Sequence, residues 1–256
     1  MSIHYLSSIN SHPRDANISF QEEGHIYTVN GESDYTSVTT FIHSLFEDFD
    51  ADKIITNMMS SKNWKNSKYY GKTREEIKAG WDANRDLASS AGTKLHYDIE
   101  CKYNGMNVEN TSIEYQYFMN FYKDYIHLTP YRTEMLVYFE EMKLSGSIDM
   151  LFKCEDGTFE IYDWKRCKEI VKHSAFNKWM KNPIVDHLPD TNYWHYSLQL
   201  NIYKAILMKK YNMQVGKLYL VALHPDNVNY IRIPVVDLKN EVEMLFNERL
   251  NNLNIN

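Results

Sequence analysis

The chain has 256 residues, 43% of them hydrophobic, and a formal net charge of -6. That is enough for one substantial core and too apolar for a disordered chain. No apolar run reaches bilayer length, and the start MSIHYLSSINSHPRD lacks a charged, then apolar, leader pattern, so the expectation is an intracellular protein with no membrane part. Cys101, Cys154 and Cys167 are odd in number and widely spaced; they form no paired zinc knuckle and no obvious disulfide frame, and read as reduced, mostly buried thiols. The acidic balance disfavours a general nucleic-acid coating protein. It leaves room for a protein that sets acids where a metal sits and bases where phosphates lie.

Taken in chain order, Ile18 to Asn30 reads as a hairpin turning at Glu23-Gly24. Tyr35-Thr36-Ser37-Val38-Thr39-Thr40 leads into a short helix, and another begins near Asp50. Ser61 to Lys72 is polar and turn-rich. A long helix is predicted from about Thr73 to Cys101, with Leu87, Ala88, Ala91, Leu95 and Ile99 on one face. Ser112 to His127 is a further helix, rich in aromatics. The period then shortens: Thr133 to Phe139, Leu144 to Phe152 and Thr158 to Trp164 read as strands, the last two joined at Glu155-Asp156-Gly157. A helix from Asp190 to Tyr211, strands Lys217 to Leu223 and Asn229 to Ile233, and a C-terminal helix from Asp237 complete the order. This predicts a mixed sheet flanked by helices, in the α/β or α+β class. A single domain is expected, with a hairpin and helical part at 1–90, a core at 91–235 and a helix at 236–256.

Chemistry concentrates in Gly146-Ser147-Ile148-Asp149 and Glu160-Ile161-Tyr162-Asp163-Trp164-Lys165. Residues two apart on a strand share a face, so Asp163 and Lys165 point the same way. The hairpin turn at Asp156-Gly157 can bring Asp149 beside Asp163. Two close carboxylates repel unless a cation separates them, and Mg²⁺ suits such hard oxygens. Lys165 can then orient or deprotonate water, or stabilise a pentavalent phosphate. An acid, any residue, then Lys occurs five times, at Glu76, Glu100, Glu141, Asp163 and Asp237. Only at Asp163 does it follow an acid across a strand-turn-strand pattern; surface acids with a snorkelling lysine are the alternative.

Two helical pairs add to this. His96 and Glu100, four apart, share a face: the histidine can complete a metal site and Glu100 can orient it, or both can be core residues. A metal-ligating His96 must be neutral, so activity is expected to fall on acidification near pH 6.5, the range of an unperturbed histidine. Gln199 and Tyr203 are likewise four apart, either near a phosphate or in a packed core. From Asp163 to Asn182, Lys165, Arg166, Lys168, Lys172, Lys178 and Lys181 outnumber Asp163 and Glu169, with Phe176 and Trp179 interleaved. Such a mixture suits either a strand-tracking groove or a solvated face.

The order Gly92-Thr93-x-x-His96-x-x-x-Glu100, Gly146-x-x-Asp149, Asp163-x-Lys165, Gln199-x-x-x-Tyr203 resembles the PD-(D/E)xK nuclease superfamily. More narrowly it resembles the branch with the RecB nuclease domain, the CRISPR-associated adaptation exonucleases and the mitochondrial genome maintenance exonuclease. The resemblance covers roughly Gly92 to Tyr203. It implies metal ligands His96, Asp149, Asp163 and the Trp164 carbonyl, a catalytic Lys165, and a supporting or DNA-contacting role for Gln199 and Tyr203. Ser37 and Thr39 match a DNA-contacting segment of the branch, with a helix cap as the alternative for that stretch. Arg166, Lys172 and Lys178 are candidate phosphate contacts. The iron-sulfur cluster of the adaptation exonucleases is not expected, because no cysteine follows Cys167. The implied activity is a Mg²⁺- or Mn²⁺-dependent DNA exonuclease acting on free or single-stranded ends, working alone or with a separate helicase, replication or recombination protein. A structure-specific endonuclease and a catalytically silent DNA-binding module are the alternatives.

Overall fold

The computed structural model describes residues 2–175 and 177–255; Phe176, expected in the basic segment, lies outside the described residues. The elements run α1 (Tyr5–Ile9), β1 (Ile18–Gln21), β2 (Ile26–Val29), β3 (Thr36–Ser37), α2 (Val38–His43), α3 (Ala51–Met59), α4 (Arg74–Tyr103), α5 (Ile113–Asp124), β4 (Thr129–Phe139), β5 (Leu144–Lys153), β6 (Phe159–Lys165), α6 (Asn192–Lys210), β7 (Val215–Ala222), β8 (Ile231–Pro234) and α7 (Lys239–Ile255). The expected mixed sheet flanked by helices is present. Among the described residues no helix is long and apolar enough to cross a membrane.

Local chemistry explains most boundaries. Helix α4 starts on a capping box, in which Thr73 accepts from the Glu76 amide and Glu76 accepts from the Thr73 amide. Ser37 caps α2 by accepting from the Thr40 amide. The β1–β2 turn places Gly24 and His25 at φ 79° and 52°, and the glycine adopts that region at little cost. Two features escape the sequence reading. Helix α1 docks through the Leu6 amide onto the buried Asn104 side chain at 2.9 Å. Strand β4 starts at Thr129, four residues early, because a register shift between Pro130 and Arg132 absorbs the irregular pairing.

Six strands form the main sheet. Strand β4 lines one edge of β5 in antiparallel register, from Thr129↔Lys153 to Phe139↔Leu144. The other edge of β5 is shared: β3 pairs in parallel with Leu144 and Ser145, and β6 pairs antiparallel from Lys153↔Phe159 to Met150↔Tyr162. Strand β7 follows β6 in parallel across the α6 crossover, and β8 closes the far edge. Arg249 of α7 pins the β3 end, donating to the Met142 and Lys143 carbonyls and the Thr36 hydroxyl at 2.6, 3.2 and 3.0 Å.

The sheet separates two cores. One holds Ile161, Leu198, Ile202, Ile206, Leu220, Val242 and Phe246, under α6 and α7. The other holds Leu95, Ile99, Phe118, Phe121, Tyr162 and Trp164, under α4 and α5. Helix α6 is buried almost all round, which is why its apolar residues show little stripe. Its Tyr203 ring lies against Gly146: a Cβ there would sit 2.7 Å from the Tyr203 ring and hydroxyl. Gly146 is therefore needed for close approach. Gly146→Ala should destabilise by about 1–3 kcal/mol, typical of overpacking. In thermal melts, adding Tyr203→Phe should leave part of the loss and Tyr203→Leu should recover most of it.

Candidate active site

The site grows from a gap in the sheet. Between its β3 pairs and its β6 pairs, β5 leaves Gly146 to Asp149 without a strand partner on that edge. Past Met150↔Tyr162 the β5 and β6 chains part, and the Asp149 carboxylate takes over the ladder, accepting from the Trp164 amide at 2.9 Å. Asp149 and Asp163 each lie one residue beyond that last pair. Glu134 of β4 stands opposite Asp149, between Thr133↔Met150 and Met135↔Ile148. Three carboxylates thus cross three neighbouring strands in one row.

Helices supply the rest. His96 of α4 places Nε2 2.8 Å from the Trp164 carbonyl. Its Nδ1 faces Asp149 Oδ2 at 3.5 Å and Glu134 Oε1 at 3.7 Å. Glu134 adopts φ 42°, a left-handed conformation costing a non-glycine residue roughly 1–2 kcal/mol. Its second oxygen accepts from Ser147 Oγ at 2.7 Å. On the α6 side, Lys165 Nζ lies 2.7 Å from Asp163 Oδ2 and 4.5 Å from the Tyr196 ring centre. Gln199 reaches Lys165 and the Tyr203 hydroxyl at 3.5 Å each, and the Thr39 hydroxyl of α2 at 3.3 Å.

Electrostatics follow from this crowding. Burial, then Asp163 and Glu134, push the Asp149 carboxyl up to about 7 against the pull of His96 and Lys165. Burial opposes charge on His96, but Asp149 and Glu134 outweigh it and hold its pKa at about 9. Burial likewise opposes charge on Lys165, and Asp163 with Asp149 outweighs it, raising its pKa. With no cation in the site Lys165 is thus held protonated, suited to stabilising negative charge. The donor set of carboxylates, a backbone carbonyl and an imidazole fits a divalent cation. His96, Glu134 and Asp149 already bring one ligand atom each within 4.8 Å of one another.

Of the residues singled out from sequence, Asp149, Asp163, Lys165, His96, the Trp164 carbonyl, Gln199, Tyr203 and Thr39 converge here. Others do not. The Ser37 hydroxyl is spent on Thr40, accepting from its amide and donating to its side chain. Arg166 is tied to Glu114, Nε to Oε1 at 2.7 Å. Glu100 lines a cavity with Arg132, Thr133 and Glu134, where burial and Glu134 push its carboxyl up to about 7. Lys172 sits over the Tyr193 ring, 4.5 Å from its centre. Lys178 is exposed on the loop before α6, beside Trp179, which is also exposed. Glu134 escapes the sequence reading. Counting back from the Phe139↔Leu144 closure of its hairpin puts it across from Asp149, and that count is the signal that could have found it.

The raised His96 pKa fixes a stability trend in the metal-free chain. Stability from protonated His96 is full below about 6.5 and is lost as pH rises through about 9. Asp149 acts in the same sense, because keeping it ionised costs stability increasingly from pH 3.8 to about 7. The Tm of the EDTA-treated wild type should therefore fall, relative to His96→Gln, as pH rises from 6.5 past 9. A wild-type–variant difference that is flat with pH contradicts the ion cluster.

No protein-family model matches the chain, and no curated protein does. Among solved structures, one titled "Crystal structure of SSO0001" is similar over 87% of this chain and 77% of that one, at 13% identity and a TM-score of 0.36. A likeness that slight carries no argument about fold or chemistry.

Proposed function

We propose that this chain is a metal-dependent deoxyribonuclease that hydrolyses phosphodiester bonds, working from DNA ends. The observation that carries the reading is the fork itself: Asp149 and Asp163 stand together at the parting of β5 and β6, with the Lys165 ammonium 2.7 Å from Asp163. The motif order from His96 to Tyr203, which resembles the RecB-like branch, supports DNA as the substrate and an end as the place of attack.

The residues divide the work. Asp149, Asp163 and the Trp164 carbonyl, with His96 beside them, would hold the cation, which supplies Lewis acidity and an activated water when bound. Lys165 offers a preorganised positive charge where the pentavalent phosphate becomes most negative. Gln199 steadies that ammonium from one side, and the Tyr196 face from another. The exposed Lys178 and Trp179 suit a passing strand, one for phosphate and one for a base face.

Lys165→Ala should lower single-turnover cleavage of end-labelled DNA by ~10²–10³-fold, the usual loss for one preorganised donor, with binding in Ca²⁺ nearly unchanged. Lys178→Ala should do the opposite, weakening binding and reducing its salt slope by about 0.7–0.9, the value for one phosphate no longer neutralised. Asp149→Ala and Asp163→Ala should abolish cleavage, and EDTA should do so in the wild type. Closed circular DNA should survive while linear DNA is degraded. Wild-type cleavage by Lys165→Ala at saturating DNA removes the proposed role, and nicking of circles converts the reading to an endonuclease.

A further inference from the structure

We propose that residues 61–72, at the far end of α4 from His96, form a remote anchor that grips a DNA strand away from the fork. The inference rests on the deoxyribonuclease reading and adds to it a second hold on the substrate.

The first observation is charge. The chain has a net charge of -6, yet residues 53–74 hold six lysines and arginines and no acid. Arg74 at the end of the run, and Lys78 beyond it, are spent on Asp52 of α3, at 3.4 and 2.7 Å. Lys62, Lys65, Lys68 and Lys72 are exposed, and among the described residues none of them forms an ion pair. Four unpaired ammonium groups so close in sequence repel one another, and a polyanion laid across them relieves that repulsion.

Aromatic rings are set among these charges. Tyr70 is 55% exposed and meets Trp64 edge-on, with ring centres 6.0 Å apart. Tyr69 meets Trp81 edge-on at 5.9 Å and accepts its indole N–H at 2.8 Å. Phe49, 73% exposed, stands 5.9 Å from the same indole. Surfaces that hold a single strand combine lysines for the backbone with ring faces for the bases. A lipid surface fits less well, because both indoles are half-buried against neighbouring rings and not free to insert.

The place of the run sets its use. Residues 82–90 of α4 are all exposed, Leu87 at 72% included, so the helix stands clear of the core there. Its start packs on α3 instead, with Ile55 and Ile77 buried outside both cores. From Arg74 to His96 the helix rises roughly 33 Å. At about 3.4 Å per stacked nucleotide, a strand needs on the order of ten nucleotides to touch both ends. A shorter strand holds one point only. A longer one holds both, and its second contact forms within the complex.

The test varies strand length and salt. Fluorescein-labelled oligothymidines of about 6 and about 30 nucleotides are bound to the full chain in Ca²⁺ and read by anisotropy. Extra registers on a longer strand raise affinity without changing the salt slope, so the slope decides. For the wild type it should be steeper on the long strand by about 2 or more, at about 0.7 for each phosphate neutralised. Replacing Lys62, Lys65, Lys68 and Lys72 together by Ala should remove that extra slope and weaken the long strand by about 10²-fold, whereas replacing all four by Arg should keep both. Tyr70→Ala should weaken the long strand about fivefold, the low end for a stacked base. Equal slopes for the two strands in the wild type overturn the proposal; this comparison needs no variant and decides the case if the Ala variant fails to fold. An extra slope that survives the four Ala changes overturns it as well. Phosphatidylserine–phosphatidylcholine vesicles are the contrasting probe: lysine-dependent binding to them, with none to the long strand, assigns the surface to a membrane instead. Lysine-dependent holding of the long strand without cleavage in Mg²⁺ or Mn²⁺ would strike the nuclease reading and leave this one standing. Normal cleavage with equal slopes would do the reverse.

Discussion

The site depends on one hydrogen bond, from the Trp164 amide to the Asp149 carboxylate. Two antiparallel strands normally satisfy each other's amides to the end of their pairing. Here β5 and β6 part after Met150↔Tyr162, and a side chain replaces the lost backbone partner. A buried amide without a partner would cost on the order of 1–3 kcal/mol. The exchange keeps the fork open while holding Asp149 beside Asp163. It also leaves the Trp164 carbonyl facing His96, so one peptide unit anchors a carboxylate on one side and an imidazole on the other.

The rest of the fold keeps that arrangement stable against its own charge. Trp164 is buried among Tyr103, Phe118 and Phe121, which fixes the backbone between Asp163 and Lys165. Helix α6 brings Tyr196, Gln199 and Tyr203 to the opposite flank, and Gly146 lets Tyr203 come close to β5. Within the cluster, three carboxylates are offset by one ammonium and one imidazolium. The proton on His96 occupies the place that a cation would take, so proton loss and cation binding are linked. Such a centre is poorly satisfied by the protein alone, as expected of a site built for something other than stability.

Much of this was legible in the chain. The Gly-x-x-Asp and Asp-x-Lys segments lay on strands because their alternation and their Gly157 turn required it, and the fork residues followed. The start of α4 near Thr73 was legible from the helical period that follows it. What stayed hidden depended on register and pairing between distant segments. Glu134 looks like one more strand acid until its hairpin is counted, and its left-handed backbone has no glycine to announce it. Arg166 looks like a phosphate contact because nothing local reveals that Glu114, on another element, already holds it. The Ser37 hydroxyl and the Thr39 hydroxyl, two residues apart, divide between a helix cap and the site, a distinction set only by where α2 packs.

The most direct measurement uses DNA carrying a phosphorothioate at the scissile linkage, cleaved in a single turnover in Mg²⁺ and in Mn²⁺. Sulfur binds the harder Mg²⁺ poorly and the softer Mn²⁺ better. A cation at the Asp149–Asp163 fork touching the reacting phosphate predicts slow cleavage in Mg²⁺, restored in Mn²⁺, with ordinary DNA cleaved in both. Cleavage that persists in EDTA, or no cleavage of either DNA in any divalent ion, would contradict it.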